Sequence, residues 1–571
     1  MSAAHPHRDG LVIAPLGGCG EIGMNLTLYG AEGKWLMVDC GMTFADESLP
    51  GIDLVVPDPS FIESEADDLV GLVVTHAHED HLGAIHFLWE RFRCPVYVTP
   101  FAAESLRLRL EEAGLLDDVP MHIVRDDAPL ELKPFRVSMI GLTHSTLEML
   151  ALAIETRHGT VIHSGDWKLD PDPLLGDVSD EAALREWGDK GVLALVCDST
   201  NVFNPGTSGS EADVRATLIE LVKARPTGRV VVTSFASNVA RLESAAAAAQ
   251  AANRSFALVG RSLWKFYEAA REAGYLKKMR PPLTDREAAK LPADKVLFLC
   301  TGCQGEPRGA MARITFDDHP TISLGQGDTA IFSSKIIPGN ERTLYRVHNE
   351  LTLNGVEVIT EKDHMVHVSG HPAREELKRM YELVRPELLV PVHGEARHLI
   401  EQARFGVEEG GVPAAQVIMN GDVLRLAPGK PRLVGEVPTG RLAVDPSGLV
   451  VMASAMLQHR RKLAYNGAAM VVLVVDEESE LVEDPRVVLL GVAEGAEMRR
   501  LTEDIEVAIE KEIGKVNGRR AADDGTLAEA GVRALRRTVR QINGRRPITE
   551  CEVVRLEAGE QVSGKKLKEA V

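Results

Sequence analysis

The sequence lacks the features that would attach the protein to a membrane or export it. No apolar run in its 571 residues is long enough to span a bilayer, and residues 1–10 carry His, Arg and Asp where a signal peptide has an apolar stretch. The seven cysteines are scattered and odd in number, which indicates reduced thiols and not a disulfide framework. These absences predict a cytoplasmic protein without a membrane partner.

A positive charge balance is also missing. The chain carries 84 Asp and Glu against 64 Lys and Arg, a formal net charge of −20. Nucleic-acid binders usually carry a basic footprint, so this balance argues against indiscriminate binding to nucleic acid. A local channel lined by metal ions and a few basic side chains still focuses a positive potential. A channelled nucleic-acid substrate is therefore compatible with the charge.

What the sequence does contain is a dense polar cluster at residues 76–81, where three histidines and two carboxylates share six positions. The cluster follows an apolar run, residues 69–74, that reads as a buried strand, and it precedes a helix that opens at Leu82. It is thus predicted to lie on a loop at the open edge of a sheet. Imidazoles and carboxylates are the ligands that Zn²⁺ binds, and their density argues against an ordinary solvated loop.

Three more candidate ligands stand where other strands end: His144, Asp166 and His393. Each alone has an ordinary alternative, as a satisfied polar histidine, a cap or a turn residue. Their strand-end position, shared with residues 76–81, favours one set of ligands for two metal ions. The predicted metal ligands are His76, His78, Asp80, His81, His144, Asp166 and His393.

Two metal ions in such a site would supply hydrolytic chemistry. A pair about 3.5–4 Å apart lowers the pKa of a bridging water and clamps phosphoryl oxygens. Mixed nitrogen and oxygen donors suit two Zn²⁺ per subunit, with Mn²⁺ or Mg²⁺ as alternatives. If hydrogen-bonded to His371, Asp198 would raise the pKa of that imidazole and make it a general acid, although Asp198 also fits as a cap for residues 199–201. The predicted catalytic residues are Asp80, Asp198 and His371.

Two loops are predicted to bind phosphate. Ser369 and Gly370 offer a hydroxyl and backbone N–H groups beside His371, and residues 235–238 stand at a strand-to-helix junction. The predicted substrate-binding residues are Phe235, Ala236, Ser237, Asn238, His367, Val368, Ser369, Gly370 and His371.

Two other motifs are predicted to carry no chemistry. Residues 18–23 match the dinucleotide fingerprint Gly-X-Gly-X-X-Gly, but a strand follows them where the fingerprint requires a helix, so we interpret them as a glycine-rich turn beside the metal site. Cys300 and Cys303 match Cys-X-X-Cys without a second pair, which favours a loop with two ordinary thiols. We interpret His163 and His367 as core or rim histidines, with a role in orienting ligands as the alternative.

The order of elements predicts several domains. Strands that end in His or Asp favour an α/β sandwich with a site on its rim. From residue 211, helices alternate with strands, which is typical of a Rossmann-like parallel sheet. Asp166 and His393 are 227 positions apart, far more than the about 30 residues of a βαβ connection, so this domain is inserted. The predicted boundaries are 1–210 and 367–450 for the sandwich, 211–366 for the insertion, 451–465 for a linker, and 466–571 for a small α/β domain with a disordered tail.

The chain resembles the bacterial ribonuclease J family, in the β-CASP group of metallo-β-lactamase-fold nucleases. The resemblance covers nearly the whole chain. Its motifs here include His-X-His-X-Asp-His at residues 76–81, Ser164-Gly165-Asp166, Asp198-Ser199-Thr200-Asn201, Phe235-Ala236-Ser237-Asn238, His367 to His371, and Pro391-Val392-His393-Gly394-Glu395. Cys303 and Lys335 depart from the family pattern, where we expect a serine and a small residue.

This resemblance implies an αββα sandwich, an inserted β-CASP domain and a small C-terminal domain. It also implies a two-metal ribonuclease that degrades single-stranded, 5′-monophosphorylated RNA from the 5′ end and adds endonuclease cleavage, in messenger decay and ribosomal RNA maturation. His76, His78 and His144 would hold one ion, Asp80, His81 and His393 the other, and Asp166 both. A homodimer or homotetramer and contacts with other RNA-decay proteins are further implications.

Two other functions remain open at this point. One is a hydrolase of small esters or thioesters, which would need neither a large insertion nor a separate acid. The other is a catalytically silent RNA-processing scaffold, against which the full set of candidate ligands argues.

Overall fold

The computed structural model describes residues 7–46, 48–517 and 523–556. The chain divides into two compact units, one of Met1–Thr43 with Val55–Leu442 and one of Phe44–Leu54 with Ala443–Val571. The tail predicted to be disordered lies outside the described residues. Among the helices of the described ranges, none is both long and apolar enough to cross a membrane.

The first unit contains a mixed sheet of eight strands that form because short apolar runs alternate with glycine-rich turns. All seven residues of Leu11–Gly17 are buried, for example. From Arg432–Glu436 at one edge as far as Lys34–Val38, neighbouring strands are antiparallel. From Lys34–Val38 to the other edge, neighbouring strands are parallel. The strand order is Arg432–Glu436, Asp422–Ala427, Leu11–Gly17, Leu26–Ala31, Lys34–Val38, Leu69–Val73, Val96–Val98 and Met121–Ile123.

A second sheet of six strands packs on the first through one apolar cluster. Three of its strands are parallel, so their carboxyl ends meet at the same edge. The strand order is Leu388–Val392, Ala194–Asp198, Gly159–His163, Met149–Thr156, Phe135–Leu142 and Leu130–Leu132.

Helices flank the two sheets. Ile85–Phe92 and Pro100–Ala113 follow strands of the first sheet, and an apolar cluster joins the second sheet to Glu181–Lys190, Arg374–Val384 and Ala396–Glu408. The predicted αββα sandwich is confirmed.

Between the two parts of the sandwich, the chain forms a separate parallel sheet. Each strand is short and contains β-branched or aromatic residues. The neighbouring strands are parallel, and a helix lies in each connection between successive strands. The predicted Rossmann-like insertion is therefore confirmed. The strand order is Leu283–Thr284, Ser255–Val259, Val296–Cys300, Val230–Thr233, Thr329–Phe332 and Glu357–Ile359. Its helices are Glu211–Lys223, Val239–Ala251, Arg261–Glu272, Asp285–Ala288, Ala310–Thr315 and Glu341–Leu353.

The second unit has its own apolar core between a three-stranded sheet and two long helices. The sheet order is Arg486–Leu490, Ala468–Val475 and Ile548–Arg555, and the long helices are Gly495–Asn517 and Asp524–Asn543. The segment predicted to be a linker contains most of the helix Ala455–Asn466, which begins where the Ser454 side chain accepts from the Leu457 N–H.

The remaining short elements of the described chain are Thr43–Phe44, Leu54–Pro57, Ser60–Ser64, Ala66–Asp68, Glu79–Leu82, Ala293–Lys295, Arg441–Asp445 and Gly448–Val451.

Candidate metal centre

Three imidazoles converge at the edge of the sandwich. His78 Nδ1 lies 3.1 Å from His76 Nε2 and 3.1 Å from His144 Nε2. Burial, followed by the neighbouring imidazoles, lowers the pKa of His76 and His144 well below its usual value, and burial lowers the pKa of His78 to about 4. Neutral imidazoles that converge in this way are suitable donors for a metal cation.

A second group combines two carboxylates with two imidazoles. His81 Nε2 lies 3.1 Å from Asp166 Oδ2, His393 Nε2 lies 3.2 Å from Asp80 Oδ2, and one ligand atom of each residue falls within 4.8 Å of the others. Burial opposes a charge on His81, yet the carboxylates of Asp166, Asp39 and Asp80 raise its pKa. Two carboxylates and two imidazoles at these distances offer the mixed oxygen and nitrogen donors that fit a divalent metal ion.

The structure also shows what holds the imidazoles in orientation. His81 Nδ1 donates to Asp39 Oδ2 over 2.7 Å, and His144 Nδ1 donates to the Gly370 carbonyl over 2.7 Å. With Nδ1 protonated in each imidazole, the lone pair of Nε2 faces the cluster and can bind a metal ion. Sequence reasoning missed Asp39, although it directly follows the strand Lys34–Val38 in the way that the predicted ligands follow theirs.

Asp39→Asn should weaken metal binding about 10–100-fold because the neutral amide no longer fixes and polarises His81. Competition with a chromophoric chelator measures this affinity. Asp328→Asn is a matched control, since Asp328 is also buried and accepts from backbone N–H groups, those of Arg229 and Gly325. Equal affinity in the Asp39 variant and in the control would show that Asp39 does not support the ligand.

Asp198 and His371 form the predicted pair. His371 Nδ1 lies 2.7 Å from Asp198 Oδ2, while Asp198 Oδ1 accepts from the Thr200 N–H over 2.8 Å. The Asp198 carboxylate therefore fills both roles predicted for it, because it caps the turn at residues 199–201 and also holds the His371 imidazole. Burial opposes protonation of His371, but Asp198 and Asp166 raise its pKa. The side chain of His371 is 23% exposed against 0% for Asp198, so His371 is the more accessible residue of the pair.

The two predicted phosphate loops differ in their contacts. Ser369 Oγ accepts from Asn201 Nδ2 over 2.7 Å and from the His371 N–H over 3.1 Å. Phe235, Ala236 and Ser237 are half-buried. Asn238 Oδ1 caps the helix Val239–Ala251, and its Nδ2 donates to Glu211, so this side chain is engaged within the fold. Val368 is buried and His367 half-buried. Substrate binding by these loops stays a prediction.

The other motifs behave as ordinary structure. The glycine-rich turn at residues 18–23 leads into the strand Leu26–Ala31, and the Gly20 N–H donates to the Gly394 carbonyl beside His393. Cys300 and Cys303 are buried, and burial raises the pKa of Cys303 to about 12 and that of Cys300 further. Such thiols are inert at neutral pH. His163 Nδ1 lies 2.9 Å from the Tyr29 hydroxyl.

An αββα sandwich with adjoining His and Asp clusters at its edge defines a metallo-hydrolase of the metallo-β-lactamase superfamily. Family models agree along the chain. They match the metallo-beta-lactamase superfamily over residues 20–226, the ribonuclease J beta-CASP domain over 227–351, the Zn-dependent metallo-hydrolase RNA specificity domain over 355–416 and the ribonuclease J C-terminal domain over 455–556.

Similar proteins cover most of the chain. Ribonuclease J of Sinorhizobium meliloti is 40% identical over 97% of this chain and 100% of its own length. Ribonuclease J of Synechocystis sp. is 37% identical over 89% of this chain and 80% of its own, and that of Thermus thermophilus 35% over 90% and 94%. The chain belongs to the ribonuclease J family. The predicted family and the predicted enzyme class, a metal-dependent ribonuclease, are confirmed.

Proposed function

We propose that this protein hydrolyses single-stranded RNA with two divalent metal ions per subunit, most suitably zinc. It removes nucleotides from a 5′-monophosphorylated end in the 5′-to-3′ direction, cuts internal bonds as a second activity, and acts in messenger decay and ribosomal RNA maturation. The observation that supports this proposal is the convergence of seven candidate ligands and the Asp198/His371 pair at one sheet edge.

The ligand roles follow from the two groups. His76, His78 and His144 would hold one ion, while Asp80, His81 and His393 would hold the second. Asp166 would contact both, since it belongs to the second group and its carboxylate also acts electrostatically on His78 and His144 of the first group. Divalent ions bound here supply a lowered pKa for water and a clamp on phosphoryl oxygens.

His371 would act on the leaving group. Its Nδ1 is held by Asp198, so Nε2 is the nitrogen left to face the substrate. The carboxylates of Asp198 and Asp166 raise the pKa of His371, which favours a proton on this imidazole. His371 therefore donates that proton to the 3′ oxygen as the phosphodiester bond breaks.

Donors for the 5′ phosphate would come from the two loops. Because the Ser369 oxygen already accepts two hydrogen bonds, its own hydroxyl hydrogen is available to a phosphate oxygen. Ser237 stands just before the helix Val239–Ala251, whose amino end favours an anion. Assembly as a homodimer or homotetramer, contacts with other RNA-decay proteins and a cytoplasmic location stay predictions.

Single-turnover cleavage of one RNA with either a 5′ monophosphate or a 5′ triphosphate tests the proposal. We expect chelator-sensitive release of mononucleotides, at least about tenfold faster from the monophosphate, which corresponds to about 1.4 kcal/mol of the barrier. A 5′-hydroxyl RNA is the control for the phosphate itself. Internal cuts that ignore the 5′ end would make endonuclease cleavage the main activity. No cleavage by metal-loaded protein would favour the small-ester hydrolase or the silent scaffold.

A further inference from the structure

A buried ion pair ties together the points where the insertion joins the sandwich. Arg241, 0% exposed, donates from Nε to Glu211 Oε2 over 3.1 Å and from Nη2 to Glu211 Oε1 over 3.0 Å. Its Nη1 donates to the carbonyls of Ser333 over 2.7 Å and Val366 over 3.0 Å. Glu211 opens the insertion, and Val366 stands where the chain returns from it. One guanidinium therefore forms hydrogen bonds at both crossings, the two points where the chain enters and leaves the insertion.

The same network reaches the segment that carries Asp166. The Glu211 N–H donates to Asp170 Oδ2 over 3.0 Å, and Lys168 Nζ lies 2.9 Å from the same oxygen. Lys168 also donates to the Gly209 carbonyl over 3.0 Å. The side chains of Lys168 and Asp170 are each 1% exposed. Two cations and two anions thus balance inside the protein, between the candidate metal ligands and the insertion.

The network also contacts both predicted phosphate loops. Asn238, the last residue of one loop, donates from Nδ2 to Glu211 Oε1 over 3.1 Å. The Val366 carbonyl, directly before His367, accepts from Arg241 and from Ser333 Oγ over 2.6 Å. Further along that loop, the Gly370 carbonyl holds His144. A displacement of Val366 would therefore move the start of the loop.

Stability alone does not account for four buried charges. Desolvation of each ion costs several kcal/mol, and apolar packing of the same volume often stabilises a fold as well or better. What directed hydrogen bonds add is a fixed relative position of the segments that they join. We propose that Arg241 and Glu211 are positioning residues that set the loops at residues 235–238 and 367–371 against the metal centre. This inference rests on the proposed function, in which these loops bind RNA.

The variant that tests it is Arg241→Met combined with Glu211→Gln. Arg241→Met alone leaves Glu211 as an uncompensated buried carboxylate and should lower the melting temperature strongly. The double variant removes both charges, so most of that loss should be recovered while the bond to Val366 stays absent. Metal content, measured by mass spectrometry, should equal that of the parent.

We expect the double variant to raise the KM for 5′-monophosphorylated RNA at least about tenfold, because the donors of both loops lose their common support. The fall in kcat should be smaller, since His371 keeps its own bond to Asp198. Amide hydrogen exchange in residues 235–238 and 366–371 should become faster. Hydrogen exchange is measured without RNA, so it does not depend on catalytic activity.

Arg254→Met is the matched control. Arg254 is also buried, 6% exposed, and donates to the carbonyls of Gly228 over 2.8 Å and Val296 over 3.0 Å. These lie at the amino ends of Val230–Thr233 and Val296–Cys300, the edge opposite the loops, so the control should lower the melting temperature and leave KM and loop exchange unchanged. If the double variant also left KM and loop exchange unchanged while the parent protein hydrolysed RNA, the proposal would be overturned. Faster loop exchange with a parent inactive on RNA would support the positioning role and reject the proposed function instead.

Discussion

Asp166→Asn should lower RNA hydrolysis at least about 10³-fold, equivalent to about 4 kcal/mol of transition-state stabilisation, and leave the protein folded. Asp166 is 2% exposed and lies 3.1 Å from His81 and 3.6 Å from His393. An amide of the same shape keeps the packing, but it removes the negative charge that would neutralise the metal ions. Circular dichroism, metal analysis and single-turnover cleavage together measure the result.

His76→Ala gives the partner experiment. This change removes one of three converging imidazoles and leaves the group of Asp80, His81 and His393 complete. We expect hydrolysis to be lost and the metal content to fall toward one ion per subunit, whereas Asp166→Asn weakens both sites. Asp328→Asn, in the insertion, controls for the loss of a buried carboxylate. Parental turnover in purified, folded His76 or Asp166 variants would contradict the two-metal mechanism.

His371→Ala should lower kcat about 10²–10⁴-fold, the range expected for loss of a general acid, with metal content unchanged. The imidazole contacts Asp198 over 2.7 Å and lies 3.9 Å from Asp166, so its removal opens space without removing a proposed ligand. Metal analysis beside the kinetics separates the two roles. Loss of metal on this change would reassign His371 as a ligand.

The pH dependence gives a second readout for the same residue. A general acid works while protonated, so kcat falls as the pH rises through the pKa of His371. Because the Asp198 carboxylate is the largest influence that raises this pKa, Asp198→Asn should move the alkaline limb of the kcat profile to lower pH. In His371→Ala that limb should disappear. An unchanged limb in both variants would assign it to another group.

The sequence by itself determined the fold class and the candidate ligands. Continuous apolar runs and amphipathic stretches are local properties, so strands such as Val296–Cys300 and helices such as Glu211–Lys223 could be predicted within a residue or two. The ligand set followed because each candidate stands where a strand ends: the carboxyl ends of neighbouring parallel strands in one sheet bring Asp166 and His393 together, and residues 76–81 follow a strand of the other sheet. The individual roles and the domain boundaries remain predictions.

Only the tertiary structure decided what supports these residues. Asp39 meets His81 across 42 positions, Thr200 meets His393 across 193, and Gly370 meets His144 across 226. The ion pair of Arg241 with Glu211 and its bonds to Ser333 and Val366 belong to the same kind of contact. Local composition encodes which elements form, whereas such pairs depend on how the sheets and the two crossings of the insertion pack in three dimensions. That packing arises from the whole chain, so no short motif predicts it.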